Sequence, residues 1–285
     1  MKAALIVKPK GDVTSKVQYA IEILKKHNIE PLIEKETVER LILNEPSFSI
    51  DYIRNNADLI IVLGGDGTLL YSTRVYKGRV IPFFGFNLGT VGFIMELKFE
   101  DFEKHILAFL NRECIVKKRM KITGSLIENN EKIFSEEALN EIVINKGAPS
   151  RMVDLSVYIN NNLVTRYRSD GAIISTPTGS TGYTISAGGP IVHPDLNTLI
   201  LSPICPHALN IRPIVVPKNS VIDIVLETKN VECYATYDGQ IVRPFNTGNT
   251  IRIKQAEKSL NLVTEENRNY YSILRDKLGW GGSTC

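Results

Sequence analysis

Cysteine is scarce: Cys114, Cys205, Cys233 and Cys285 are the only four in 285 residues, and none form a CxxC pair or a zinc-ligand spacing. That excludes a disulfide-stapled framework and a cysteine-based zinc site, and a chain of this length has core enough to fold without either. Each thiol is expected to stand alone and buried. Long apolar runs are also missing. The strongest, Leu59 to Leu63, is far short of the ~18 residues that make a membrane-spanning helix. Ala3 to Val7 is too brief for a signal-peptide core and runs straight into Lys8, Pro9 and Lys10. A cytoplasmic protein without a membrane partner is the expectation. Neither sign of charge dominates, because 34 Lys and Arg stand against 31 Asp and Glu for a net charge of +3. Charge therefore supplies no ground for a nucleic-acid partner. With 13 Pro, 20 Gly and 43% hydrophobic residues, long disorder and fibrous repeats are excluded as well.

What is present divides in two. At roughly 150 residues per domain the length suggests two domains, and the periodicity changes near Cys114. Before it, apolar strands alternate with amphipathic helices. Strands are expected at Ala3 to Val7, Pro31 to Ile33, Asp58 to Leu63 and Val80 to Phe86, the last with Phe83, Phe84 and Phe86 as core. Helices are expected at Ser15 to His27, capped by Ser15, and at Thr68 to Tyr76. Such alternation implies an α/β domain, residues 1–114, with a parallel sheet covered on both faces. After Cys114 the segments are short and β-rich. They include Lys121 to Glu128, Ile142 to Asn145, Val153 to Ile159, Leu163 to Tyr167, Ala172 to Ser175, Ile214 to Val216, Val221 to Leu226, Glu232 to Tyr237 and Thr250 to Ile253, with Asn160-Asn161-Asn162 as a hairpin break. Residues 115–267 thus read as a mostly antiparallel all-β domain. A C-terminal helix within 268–285, with Tyr271, Leu274 and Leu278 on one face, is expected to return to the first domain.

Chemistry concentrates in two clusters. In the first, the strand Leu59 to Leu63 runs into Gly64-Gly65-Asp66-Gly67-Thr68 and then a helix, the place where open α/β sheets bind ligands. Glycines let backbone approach a phosphate, and a helix N-terminus offers unpaired N–H groups to an anion. Gly64, Gly65, Gly67 and Thr68 are therefore candidate phosphate contacts. Asp66 does not suit a phosphate site, since a carboxylate repels phosphate; it reads as a base or hydroxyl acceptor, or, more plainly, as a helix cap. A dinucleotide fingerprint fails because Leu70 holds the third glycine position, and no GK[ST] exists for a P-loop. The second cluster is Ser169-Asp170-Gly171 followed by Ser175-Thr176-Pro177-Thr178-Gly179-Ser180-Thr181-Gly182-Tyr183 and Ser186-Ala187-Gly188-Gly189-Pro190. Thr178 stands where a nucleophile elbow needs its first glycine, which excludes a serine hydrolase. A loop so dense in hydroxyls suits a nucleotide's ribose and phosphates; a capped turn entering a short helix is the plainer alternative.

Together with Asn87-Leu88-Gly89-Thr90-Val91-Gly92-Phe93, Asn140-Glu141, Pro203-Ile204-Cys205-Pro206-His207, Arg212-Pro213 and Asp238-Gly239-Gln240, these clusters resemble the NAD kinase family over most of the chain. The resemblance implies an N-terminal α/β domain and a C-terminal β domain with the site between them. It also implies transfer of the terminal phosphoryl group of ATP, or of polyphosphate, to the 2′-hydroxyl of the adenosine ribose of NAD. Asp66 matches the family's base, and Asn140 and Glu141 the pair that holds the nucleoside. Gly67, Arg151, Arg168, Asp170, Thr178, Thr181, Gly182, Tyr183, Thr184, Ile185, Ser186 and Gln240 match further substrate contacts. Mg²⁺ is expected to arrive on the triphosphate, with no metal site in the chain, and a homodimer or homotetramer is implied. One departure is Gly182, where the family usually has Ala; loss of the methyl predicts a more mobile loop. A lipid or sugar kinase would share only the glycine-aspartate turn, and a dinucleotide-binding regulator would keep the loop but leave Asp66 idle.

Other residues read as structural. His193 and His207 have no acid or thiol spaced for a metal site, and Lys117-Lys118-Arg119 reads as a solvated basic run. In the family a charged or polar residue at the position of Arg168 accompanies preference for NAD over NADH, whereas a small one permits both. The expected kcat/KM is therefore higher for NAD, and Arg168→Gly should bring the NAD/NADH ratio toward unity in steady-state assays. Equal values for the unaltered chain would contradict this.

Overall fold

Six consecutive buried residues, Leu59–Gly64, make the central strand of the first unit, and burial on both faces is what a parallel sheet covered by helices requires. The computed structural model describes residues 1–89, 92–147, 151–265 and 269–279. They form two compact units, Met1–Lys118 with Leu260–Cys285, and Arg119–Ser259. The fold class is the expected one, but the boundaries are not those expected at 114/115 and 267/268. Ile115–Arg119 and Leu260–Thr264 are strands of the first unit's sheet, so ladder pairing carries the first unit past Cys114 and takes it up again at Leu260.

That sheet has eight strands. Along it run Ser47–Phe48, Glu30–Glu34, Lys2–Val7, Leu59–Gly64, Pro82–Asn87, Leu260–Thr264 and Ile115–Arg119, with Leu97–Lys98 pairing off Pro82–Asn87. The five central strands are parallel in register, for example Ala4 beside Ile60 and Ile61 beside Phe84. Phe83, Phe84 and Phe86 are buried as expected. Helix Thr14–Lys26 buries Val17, Ala20, Ile21 and Leu24. Its cap is not Ser15: the chain enters through Val13, and Asp12 accepts from the Thr14 N–H at 3.0 Å. Helices Lys35–Leu41, Ile50–Asn56 and Phe102–Leu110 complete this part. The C-terminal helix, Tyr270–Leu278, belongs to the first unit, but it buries Ile273 and Leu274 while Tyr271 and Leu278 stay exposed. A nine-residue helix at the chain's end seats one short edge rather than a full stripe.

The second unit is two six-stranded antiparallel sheets over one core. One holds Glu141–Lys146, Gly171–Ser175, Thr198–Ile204 and Cys233–Tyr237; the other holds Ile122–Glu128, Val153–Ile159, Ile222–Leu226 and Thr250–Gln255. Ile142, Ile144 and Ile174 from the first interleave with Leu155, Val157 and Ile224 from the second. Asn160 and Asn161 take φ of 51° and 66°, the left-handed pair that a tight hairpin turn needs and Asn tolerates. Asn129 and Asn130 repeat the device between Ile122–Glu128 and Glu131–Ala138.

Two expectations are corrected here. Cys205 is exposed and Cys114 half-buried, leaving Cys233 as the buried thiol among those described, with burial pushing its pKa up to about 12. Cys285 lies outside the described residues. Arg119, expected to be solvated, is buried because its guanidinium donates to Asp195 at 2.6 Å.

Candidate active site

In the first unit the glycine turn is built around the Asp66 carboxylate. The helix Asp66–Val75 starts at Asp66, is capped by Gly65 without any side-chain bond, and leaves the Asp66 carboxylate to reach elsewhere. Oδ2 accepts from the Phe93 N–H at 2.9 Å, Oδ1 from the Met95 N–H at 2.9 Å, and both share the Ile94 N–H at 3.3 and 3.4 Å. The capping alternative therefore does not describe it; Asp66 holds the 93–95 backbone instead. A Cβ on Gly92 would overlap that carboxylate, which is why the close approach needs glycine there. Gly64 is buried, and a Cβ on it would collide with the Thr68 hydroxyl, whereas a Cβ on Gly65 or Gly67 would meet open space. The backbone at the start of the helix is thus open to close approach at Gly65 and Gly67. Thr90 and Val91 lie outside the described residues.

The second unit repeats the device. Asp238 accepts from three consecutive N–H groups, Leu139 at 2.8 Å, Asn140 at 2.7 Å and Glu141 at 3.1 Å. It does so from a left-handed turn, with φ 49° at Asp238 and 64° at Gly239. The clamp sets Asn140 and Glu141 side by side at the start of the strand Glu141–Lys146. Asn140 Oδ1 and Glu141 Oε2 are both buried without a hydrogen-bond partner. Burial, with the Asp238 charge second, pushes the Glu141 pKa up to about 8, so near neutrality its carboxyl is largely protonated.

Facing this pair is the hydroxyl loop. Its hydroxyls mostly build the loop rather than line it: Thr176 donates to the Leu139 carbonyl at 2.6 Å and accepts from the Gly179 N–H at 3.1 Å, and Ser180 donates to the Pro177 carbonyl at 2.7 Å and accepts from the Val192 N–H at 3.0 Å. Thr178 is buried, and the Thr181 hydroxyl reaches the Thr178 carbonyl only at 3.4 Å. Thr178–Thr181 form one short turn and Tyr183–Ser186 another, with Thr184 buried, Ile185 half-buried, and Tyr183 and Ser186 exposed. Gly179 packs so closely on Asn140 that a Cβ would overlap its carbonyl. A Cβ on Gly182 would sit 3.0 Å from Glu141 Oε2 and 3.2 Å from the Gly179 carbonyl oxygen. The missing methyl therefore leaves space over an orphaned carboxyl.

The remaining predicted contacts stand outside this cluster. Arg168 forms a two-bond fork with Asp154, at 2.9 and 3.0 Å, on the exposed side of its strand. Asp170 pairs with Lys146 at 3.0 Å. Arg151 and Gln240 are exposed. Sequence reasoning missed the backbone of Ile94 and Met95, and missed Asp154 and Lys146 as partners; no local pattern marks groups that act through main-chain amides or across strands.

Residues 5–114 match the model of the ATP-NAD kinase N-terminal domain, and residues 139–265 that of the ATP-NAD kinase C-terminal domain. The chain belongs to the NAD kinase family. Its phosphotransferase activity is therefore that of an NAD kinase. The NAD kinase of Geobacter metallireducens is 42% identical over 258 residues, covering 90% of each chain, and that of Geotalea daltonii 40% identical over 261 residues, covering 92% of each. A crystal structure of an NAD kinase from Archaeoglobus fulgidus in complex with ATP is 31% identical, with TM-score 0.76 over 98% of each chain. The yeast NADH kinase complexed with NADH superposes with TM-score 0.93 over all of this chain and 89% of its own, and at 24% identity it speaks to the fold alone. Both family domains thus coincide with the two carboxylate-clamped clusters.

Two consequences are measurable. Gly92→Ala forces the 93–95 backbone off Asp66; overpacking of this kind costs about 1–3 kcal/mol, visible in denaturant unfolding, and kcat falls with it. Unchanged stability and turnover would show that the clamp is dispensable. For Glu141, the folded pKa of about 8 lies above the ordinary 4.5, so the folded state holds the extra proton between those values and its stability declines as pH rises through that window. Glu141→Gln should therefore gain thermal midpoint relative to the unaltered chain on going from pH 6 to pH 8 without ligand. A difference that does not change with pH would contradict the assignment.

Proposed function

We propose that the two clamped clusters serve transfer of the terminal phosphoryl group of ATP to the 2′-hydroxyl of the adenosine ribose of NAD, giving NADP and ADP, with polyphosphate as an alternative donor. The observation that carries this reading is the Asp66 carboxylate, fixed by three backbone N–H groups at the open start of a helix. A carboxylate has about four lone-pair positions; two take the 2.9 Å bonds from Phe93 and Met95, and the other two share the single Ile94 N–H at 3.3 and 3.4 Å, so one of these weakly held positions can accept from a substrate hydroxyl. Asp66 orients the 2′-hydroxyl through it and takes its proton as the ribose oxygen bonds to the γ-phosphorus and the bond to the ADP oxygen breaks. A loose transition state asks more of orientation and charge neutralisation than of a strong base. Gly64, Gly65, Gly67 and Thr68 offer the turn and helix start to the phosphates.

Asn140 and Glu141 hold the nucleoside, Glu141 donating from its protonated carboxyl and Asn140 accepting at Oδ1; their lack of protein partners supports this. Thr178, Thr181, Gly182, Tyr183, Thr184, Ile185 and Ser186 border the same space, and Arg151, Arg168, Asp170 and Gln240 supply outer contacts to NAD. The ATP complex of the Archaeoglobus fulgidus relative supports ATP as donor. Mg²⁺, when bound, supplies neutralisation of the phosphate charge. Among the described residues, the one cluster of three metal-ligating groups shares no residue with the glycine turn, and Asp66 is taken up by amides, so the fitting carrier is the triphosphate itself. A homodimer or homotetramer and a cytoplasmic setting rest on the family resemblance; no helix among the described residues is long and apolar enough to cross a membrane.

A coupled assay for NADP formed from NAD with ATP and Mg²⁺, repeated with polyphosphate, tests the reaction and ranks the donors; no NADP with either would refute it. Asp66→Asn turns one oxygen into an NH₂ that faces the amides of Phe93 or Met95, so some stability is lost. Binding of NAD should persist, and kcat should fall at least about a hundredfold, within the range for loss of a general base. Near-unchanged kcat in folded Asp66→Asn would make Asp66 a loop anchor only.

A further inference from the structure

A third cluster lies in the first unit and takes no part in the readings above. Asp101 closes the short turn Phe99–Asp101 and immediately precedes the helix Phe102–Leu110; His105 sits one turn into that helix; Glu265 follows the strand Leu260–Thr264. Residues four apart at a helix start project to the same side, and the strand end supplies the third group. One ligand atom from each of the three lies within 4.8 Å of the other two.

The imidazole is the telling member. His105 is 8% exposed, its ring packs at a tilt on Phe86 with centroids 6.0 Å apart, and its buried Nε2 has no hydrogen-bond partner. Glu265 Oε1 stands 3.7 Å from that nitrogen, beyond a hydrogen bond. A buried polar atom left unpaired costs about 1–3 kcal/mol, so the His105 Nε2 at one side of this gap calls for a partner in it. Two ligands each ~2.1 Å from a tetrahedral or octahedral ion stand about 3–4 Å apart, which matches the gap. We propose that Asp101, His105 and Glu265 form a binding site for a divalent first-row transition ion of the Zn²⁺ class.

One imidazole nitrogen with two carboxylate oxygens suits that class rather than Mg²⁺ or Ca²⁺, which prefer oxygen alone. The ion's place in the fold gives it a role. It joins the end of the strand by which the chain returns to the first unit to the start of a helix in that same unit, and so acts as a clasp on the returning segment.

The test uses the full chain, stripped by chelator and kept free of nucleotide. Co²⁺ should bind at one equivalent with a visible absorption band, Zn²⁺ should displace it, and Zn²⁺ should raise the thermal midpoint. His105→Gln and Glu265→Gln should each weaken Co²⁺ binding at least about tenfold, since even loss of a group supporting a ligand costs that much. Because Glu265 is only half-buried, its variant keeps the test valid should His105→Gln fail to fold. Absence of stoichiometric Co²⁺ binding by the unaltered chain, or equal binding by folded Glu265→Gln, would overturn the proposal.

Discussion

A carboxylate that accepts from three consecutive backbone N–H groups holds each cluster in place. Asp66 grips residues 93–95 and Asp238 grips residues 139–141, and each bond is charge-assisted, about twice as strong as its neutral counterpart. Three amides in a row can converge on one side chain only if the main chain bends sharply and nothing intrudes. Gly92 keeps the way clear in the first clamp, and in the second the left-handed turn at Asp238 and Gly239 presents the accepting carboxylate. Gly92 thus answers to a steric requirement of the Asp66 carboxylate as much as to any ligand.

With the backbone fixed, side chains are freed for other work or denied it. Thr176 and Ser180 are spent on bracing their own loop, while Asn140 Oδ1 and Glu141 Oε2 stay buried and unmatched. Native proteins seldom leave buried polar atoms unpaired, and two on adjacent residues, beneath a glycine that leaves room above them, mark where the protein gave up stability to keep recognition groups ready. Glu141 shows the same trade in its protonation: solvent exclusion that disfavours its charge makes it a donor at neutral pH.

Much of this was legible because the local signals were strong. Leu59–Gly64 is apolar at every position save its final glycine, so a strand covered on both faces could be read directly, and the Asn160-Asn161 turn announces its own geometry. Other elements carry mixed signals. Glu131–Ala138 starts with charged and exposed residues, as an edge strand does, which hides its period, and the seven-residue helices Lys35–Leu41 and Ile50–Asn56 are too short to show a full stripe. Asp66 was singled out by its poor fit to an anion site, but its partners lie 27 to 29 positions away, and those of Asp238 nearly a hundred. Bonds to main-chain amides leave no residue type to recognise, so the clamps could be seen only once the fold had brought the segments together.

The sheet order has a bearing on how the chain assembles. Leu260–Thr264 lies between Pro82–Asn87 and Ile115–Arg119, so until it arrives those two strands have no neighbour to join them and the first unit's sheet stays open at an inner position. The second unit, Arg119–Ser259, is continuous and holds all twelve of its strands within itself. During synthesis domains generally fold as units, the N-terminal one first. Here the middle of the chain is able to close completely before the first unit's sheet, which must wait, with a slot held open, for a strand made only after the whole of the second unit.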